Sequence, residues 1–175
     1  MASTRTSTTS WGAEASEFVK ALAANGRCPD AMDFLAHALS KRDAVWWACL
    51  AAKRALGAAL SPVERAALIA AAAWVLDPDE RKRRAAETAG DRADFGSLAG
   101  SVAFAVYGSG GSLAPADLPD VPPDHGMTAR AVSASVMLAS VRGQSQSIEA
   151  RQRELVDLGV SIAEGRTSYE RGHRG

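Results

Sequence analysis

The side chains with chemistry to offer are few and scattered along the 175 residues. The three histidines are His37, His125 and His173, and the two cysteines are Cys28 and Cys49. Asp33 and His37 stand four apart, a spacing that lets a carboxylate and an imidazole meet on one helix face. A metal site needs more ligands, and neither His-Glu-x-x-His nor a paired Cys-x-x-Cys occurs. The sequence therefore predicts no metal and no cofactor. The glycine segment Gly108-Ser109-Gly110-Gly111-Ser112 has the flexibility of a phosphate loop. It lacks the Lys-Ser/Thr that would touch phosphate and magnesium, and it follows a helical pattern instead of a strand. Ser109 lies between glycines, but no nucleophile elbow of the Gly-x-Ser-x-Gly type surrounds it. No residue set predicts a catalytic centre, and the chain reads as more plausibly a binding protein than an enzyme.

Three features suit a partner surface instead. The run Arg81-Lys82-Arg83-Arg84 offers Arg81, Arg83 and Arg84 to phosphate or an acidic partner, although Asp77, Asp79 and Glu80 precede it and pair with it at helical spacing. Trp46 and Trp47 are consecutive, so on a helix their rings point about 100° apart. One ring must face away from the neighbour that the other meets. The segment from Gly108 to Met127 carries Leu113, Leu118 and Val121 among Pro115, Pro119, Pro122 and Pro123. It reads as a strap docked over the helices by its apolar residues, since leaving those in water is costly. Left undocked, the same residues would be a binding surface.

The elements that must position these residues are helices. A first helix is expected over 11–24, with Phe18 and Leu22 sharing a face and Asn25-Gly26 as the stop. Pro29 opens a second, with Met32, Leu35 and Leu39 inward. Asp43 is expected to cap a third, and Ser61-Pro62-Val63-Glu64 is a capping-box start for a fourth carrying Leu68, Ile69 and Trp74. Asp77 is expected to cap a fifth that Gly90 ends. An apolar sixth reaches Tyr107, Thr128 caps a seventh to about Val141, and Ser147 caps an eighth with Leu155, Leu158 and Ile162 inward. The stretch 43–76 holds three of the four tryptophans and reads as the centre of the packing. The expected fold class is all-α: a single compact bundle of about seven or eight helices over 11–165, with one long Gly/Pro-rich loop. A disordered tail is expected at 1–10 and a frayed one at 166–175.

Composition narrows the function classes. Lys+Arg and Asp+Glu are 20 each, a formal net charge of zero that gives no bulk drive toward nucleic acid or anionic lipid. No stretch has the roughly 20 apolar residues of a membrane span, and MASTRTSTTS has no apolar run of the secretory kind. A cytoplasmic protein is expected, with Cys28 and Cys49 as small buried apolar residues outside any disulfide.

Three segments carry a resemblance: CPDAMDFLAHALSKRDAVWWACLAAKRAL, AAAWVLDPDERKRRAAETA and GSGGSLAPADLPDVPPDHGMTARAVSASVMLASV. Together they resemble a family of small helical bacterial proteins whose domain has no assigned function and whose members are associated with type VI secretion gene sets. The resemblance runs from Cys28 to Val141. It implies an accessory or adaptor role near a contractile secretion apparatus, with a secretion or effector component as protein partner. The expected partner-binding residues are Trp46, Trp47, Leu113, Leu118, Val121, Arg81, Arg83 and Arg84. An effector or enzyme with a site invisible to motifs, and a self-assembling homo-oligomeric subunit, are the alternatives.

Overall fold

The computed structural model describes residues 11–143, 146–167 and 169. The expected disordered tail at 1–10 and most of the expected frayed tail lie outside them, as does His173. Among the described residues there are eight α-helices and no strand, so the all-α expectation holds. They are α1 (Ala13–Ala24), α2 (Cys28–Ala38), α3 (Lys41–Leu56), α4 (Pro62–Leu76), α5 (Glu80–Arg92), α6 (Leu98–Tyr107), α7 (Met127–Val141) and α8 (Ile148–Ala163). A single 3-10 turn, Gly57–Ala59, joins α3 to α4.

The centre is α6, not the α3–α4 stretch that its tryptophans suggested. Every residue of α6 except Phe104 is buried, and α3, α4, α5 and α7 pack around it. Its ten residues, LAGSVAFAVY, contain no charge, and a helix apolar on all sides belongs inside. Small side chains such as Ala99, Ala103 and Ala105 let four neighbours approach it closely. The Ser101 and Ser135 hydroxyls meet at 2.8 Å across α6 and α7, which satisfies two polar groups in the interior. Helices α2 and α8 lie on the other side of α7, and α1 closes over α2 and α8.

Caps explain where the helices start, and several differ from expectation by a few residues. Ser40, not Asp43, caps α3: its Oγ accepts from Asp43 N–H at 3.1 Å. The expected Ser61–Glu64 capping box is present on α4. Asp79, not Asp77, caps α5 and accepts from Lys82 N–H at 2.6 Å. Helix α5 runs through Gly90, expected as its end, to Arg92; the glycine serves packing instead, since Phe95 and Ala103 occupy the space a side chain would take there. Thr128 lies inside α7 and donates its hydroxyl to Ala105 O at 3.1 Å instead of capping. On α1 the buried face is Ser16, Val19 and Leu22. Phe18 is exposed and meets Phe34 edge-on at 5.1 Å.

Candidate interaction surface

The two adjacent tryptophans divide between core and surface. Trp47 has 0% exposure, and its Nε1 donates to Leu155 O on α8 at 2.9 Å. The expectation that Trp47 meets a partner is therefore corrected: an indole enclosed by α3 and α8 and bonded inside has no face left to offer. Trp46, about 100° round the helix, is half-buried at the rim of a groove between α3 and α4. This groove has a volume of about 320 Å³ and is lined by Trp46, Cys49, Leu50, Leu60, Leu68 and Ile69. Lys53 and Arg65 are its charged residues, and no carboxylate lines it. The Trp46 Nε1 is buried and has no hydrogen-bond partner among the described residues. Cys49 lies beneath with its thiol pushed up to about 12 by burial, so it is a neutral apolar wall.

The groove continues onto the outer face of α4. Ala67, Leu68, Ala71, Trp74 and Val75 point inward. Pro62, Ala66, Ile69, Ala73 and Leu76 make up the opposite side, with Ile69 62% and Leu76 42% exposed. Sequence reasoning assigned Leu68, Ile69 and Trp74 to this helix without dividing them between its sides, and overlooked this face. The signal was present: of the fifteen residues of α4, only Glu64 and Arg65 are charged. An ordinary surface helix carries a polar outer side.

The basic run does something other than face a partner. Arg83 is buried and donates through Nη1 to Tyr107 O at 2.6 Å and through Nη2 to Ser112 O at 2.9 Å. Its Nε and Nη2 also form a fork on the Glu80 carboxylate at 2.6 and 2.7 Å. Arg84 donates to Ala114 O at 2.7 Å and bridges Glu80 and Glu87. The guanidinium of Arg83 lies 5.1 Å from the Tyr107 ring centre. Lys82 pairs with Asp77 and Asp79, and Arg81 is exposed. Arg83 and Arg84 thus hold the Gly/Pro-rich loop, which removes buried Arg83 from the expected partner surface.

That loop is a strap, but not one fixed by its apolar residues. Its attachments are backbone groups: the carbonyls of Tyr107, Ser112 and Ala114 bonded to arginine, and Ser109 O bonded to Lys41 Nζ at 2.7 Å. The Tyr107 hydroxyl donates to Leu113 O, and Leu113 N–H donates to Val121 O at 2.7 Å. Gly111 has φ +63°, and a Cβ there would lie 2.9 Å from Glu80 Oε2 and 3.0 Å from Arg83 Nε. Only glycine accepts both the left-handed backbone and that proximity. Leu113 is half-buried, while Leu118 and Val121 stay 55% and 51% exposed.

A family of unknown function (DUF6931) matches residues 18–163. The chain belongs to this family. No curated protein and no solved structure matches it. The family match takes in the α3–α4 groove, the outer face of α4 and the strapped loop, and extends beyond the Cys28–Val141 span of the sequence resemblance. The family description carries no activity and no link to type VI secretion.

Among the described residues no group of three or more His, Cys, Asp and Glu could hold a metal ion. His37 Nδ1 lies 3.8 Å from Asp33 Oδ1 at an exposed position, and that carboxylate also accepts from Ser133 Oγ at 2.8 Å. A recess of about 250 Å³ gathers Arg54, Arg142 and Arg151 beside Glu154. Arg151 is spent on the carbonyls of Ser140 and Gln146. Cys28 and Cys49 are both free and buried. No helix among the described residues is long and apolar enough to cross a membrane.

Proposed function

We propose that this chain is a non-enzymatic helical accessory or adaptor domain that acts by protein–protein contact through the α3–α4 face. The observation that carries the reading is the outer side of α4, where Ile69 and Leu76 lie open to solvent beside the apolar groove of Trp46 and Leu50. Isolated apolar residues on a surface are ordinary, but a contiguous row continued by a groove marks a docking site. The loop held by Arg83 and Arg84 leaves Leu118 and Val121 exposed as a second apolar surface, the rival site for the same kind of contact. The association with a type VI secretion system, and with it a cytoplasmic place of action, rests on the sequence resemblance alone.

The test uses the full chain as bait in its native lysate, with wild type compared against Ile69→Glu and Leu118→Asp. Capture of a defined protein set that Ile69→Glu abolishes supports the α3–α4 face. Capture lost only with Leu118→Asp would move the site to the loop. Capture unchanged in both variants would overturn the reading.

A further inference from the structure

We propose that the groove between α3 and α4 binds a small amphipathic carboxylate, a free fatty acid of medium chain length, with its head at the Lys53 and Arg65 end. This goes beyond the protein-contact reading and does not depend on it. Two helices build the groove by the same spacing. Trp46, Cys49, Leu50 and Lys53 line it from α3, and Arg65, Leu68, Ile69 and Ala72 line it from α4. Each set falls at i, i+3, i+4 and i+7, which is one helix face over two turns. At a rise of 1.5 Å per residue, that span gives the groove a length of about 10 Å.

The short connection gives the groove a direction. Only residues 57–61 separate α3 from α4, so the end of one helix and the start of the other stand together. Lys53, in the last turn of α3, and Arg65, near the start of α4, therefore share one end with Leu60 of the connection. Trp46 and Ala72 stand at the other end, with Cys49, Leu50, Leu68 and Ile69 between. One end is cationic and the rest is apolar.

Nothing described neutralises that end. Lys53 and Arg65 are exposed and form no ion pair among the described residues. No carboxylate lines the groove, and burial keeps the Cys49 thiol neutral by pushing it up to about 12. Glu64 is the acidic neighbour of that end, and its carboxylate is occupied, accepting from the N–H and the hydroxyl of Ser61. An anionic head supplies the charge the end lacks, and an apolar tail covers the remainder. Size favours a small molecule over a protein segment. A volume of about 320 Å³ lies near the lower limit of ligand pockets, roughly 300 Å³, whereas a protein partner covers about 800 Å² of surface.

The experiment titrates the full chain with decanoate at neutral pH, below its micelle-forming concentration, by isothermal calorimetry. 1-Decanol and decyltrimethylammonium carry the same tail with no charge and with the opposite charge. Decanoate is expected to bind saturably at one per chain, about tenfold or more tighter than either. The double variant Lys53→Gln, Arg65→Gln is expected to lose that advantage and to bind decanol as wild type does. Both residues are exposed, so its circular dichroism spectrum should be unchanged. Ile69→Glu, which sets a carboxylate on the groove wall, is expected to abolish decanoate binding. Decanoate should also raise the urea midpoint of wild type, because a ligand of the folded state stabilises it. Absence of saturable binding up to millimolar decanoate overturns the proposal. Equal affinity for the three tails would reduce it to adsorption of apolar chains and overturn it too. Unchanged affinity in the double variant or in Ile69→Glu would place the ligand elsewhere, and a lowered urea midpoint would mean detergent action; each overturns the site. The protein-contact reading is judged by capture from lysate and stands or falls apart from these outcomes.

Discussion

The indole Nε1 of Trp47 and the backbone oxygen of Leu155 are joined by a 2.9 Å hydrogen bond that ties α3 to α8 through the core. Gly159, one turn further along α8, makes the approach possible: a Cβ there would lie 3.0 Å from both Trp47 Cε2 and Leu35 Cδ1. Trp47→Ala empties a fully enclosed site and is expected to cost about 3–5 kcal/mol, a large share of the roughly 5–15 kcal/mol of a domain. Trp47→Phe keeps most of the ring and loses the donor, at a cost of about 1–3 kcal/mol. Urea unfolding followed by circular dichroism measures both. A wild-type midpoint for Trp47→Ala would contradict the buried position.

Arg83 is the peg of the strapped loop, and its prediction concerns the loop more than the bundle. Replacing it with Met leaves the Glu80 fork and the carbonyls of Tyr107 and Ser112 without their donor. Glu80 is 59% exposed and is resolvated when Arg83 is lost, so the cost comes from the carbonyls of Tyr107 and Ser112 left without their donor, about 1–3 kcal/mol. Lysine is not a substitute, since one ammonium cannot reproduce a planar fork that serves a carboxylate and two carbonyls. Hydrogen exchange should show faster exchange at the loop amide of Leu113, which bonds Val121 O, in both Arg83→Met and Arg83→Lys. Protection equal to wild type would remove Arg83 from this role.

The helical class was legible because caps and apolar spacing act locally. Ser61 and Glu64 satisfy each other's backbone groups, and no distant residue is needed to read them. The interior position of α6 was partly legible in its lack of charge. Its central place depended on which helices would surround it, which is a tertiary matter. The candidate surface was harder for the same reason. Trp46 and Trp47 have the same chemistry and adjacent numbers, and which one turns inward depends on how α3 packs against α4, α6, α7 and α8. Arg83 shows the reverse difficulty. Local spacing to Glu80 explained it as a solvated pair, whereas Tyr107 O and Ser112 O, far along the chain, draw the same guanidinium inside. The outward side of Ile69 was not legible because an alanine-rich helix shows little contrast between its two sides.

Acid should loosen the α5 region along with the helix starts. The Glu80 carboxyl is held below its ordinary value, chiefly by its hydrogen bonds from Arg83 and then by the charges of Arg83 and Arg84. Asp79 is lowered by its bonds from Lys82, and Glu64 by those from Ser61. In each case the folded pKa lies below the unfolded one, so the unfolded chain binds more protons in the interval between them. The stabilisation is therefore fully present above the ordinary carboxylate range and is lost as pH falls through the depressed folded values. Unfolding midpoints measured from neutral pH downward should fall in that window. Glu80→Gln should be less stable than wild type at neutral pH and lose less on acidification. Equal slopes for the two proteins would assign the acid sensitivity elsewhere.

The two thiols give a measure of how often the core opens. Burial pushes the Cys49 thiol up to about 12, and burial likewise raises Cys28, with Arg153 opposing it. A thiol acts as a nucleophile only as thiolate, so both are suppressed twice in the folded state, by exclusion of reagent and by protonation. Cys49 underlies the α3–α4 groove at 6% exposure, and Cys28 is 3% exposed at the start of α2. Labelling of the native protein with a chromogenic disulfide reagent at neutral pH should be slow for both. Both rates should rise in parallel with added urea below the unfolding transition if a single cooperative unit opens. Faster labelling of Cys49 alone would mean that α3 and α4 part locally at the groove.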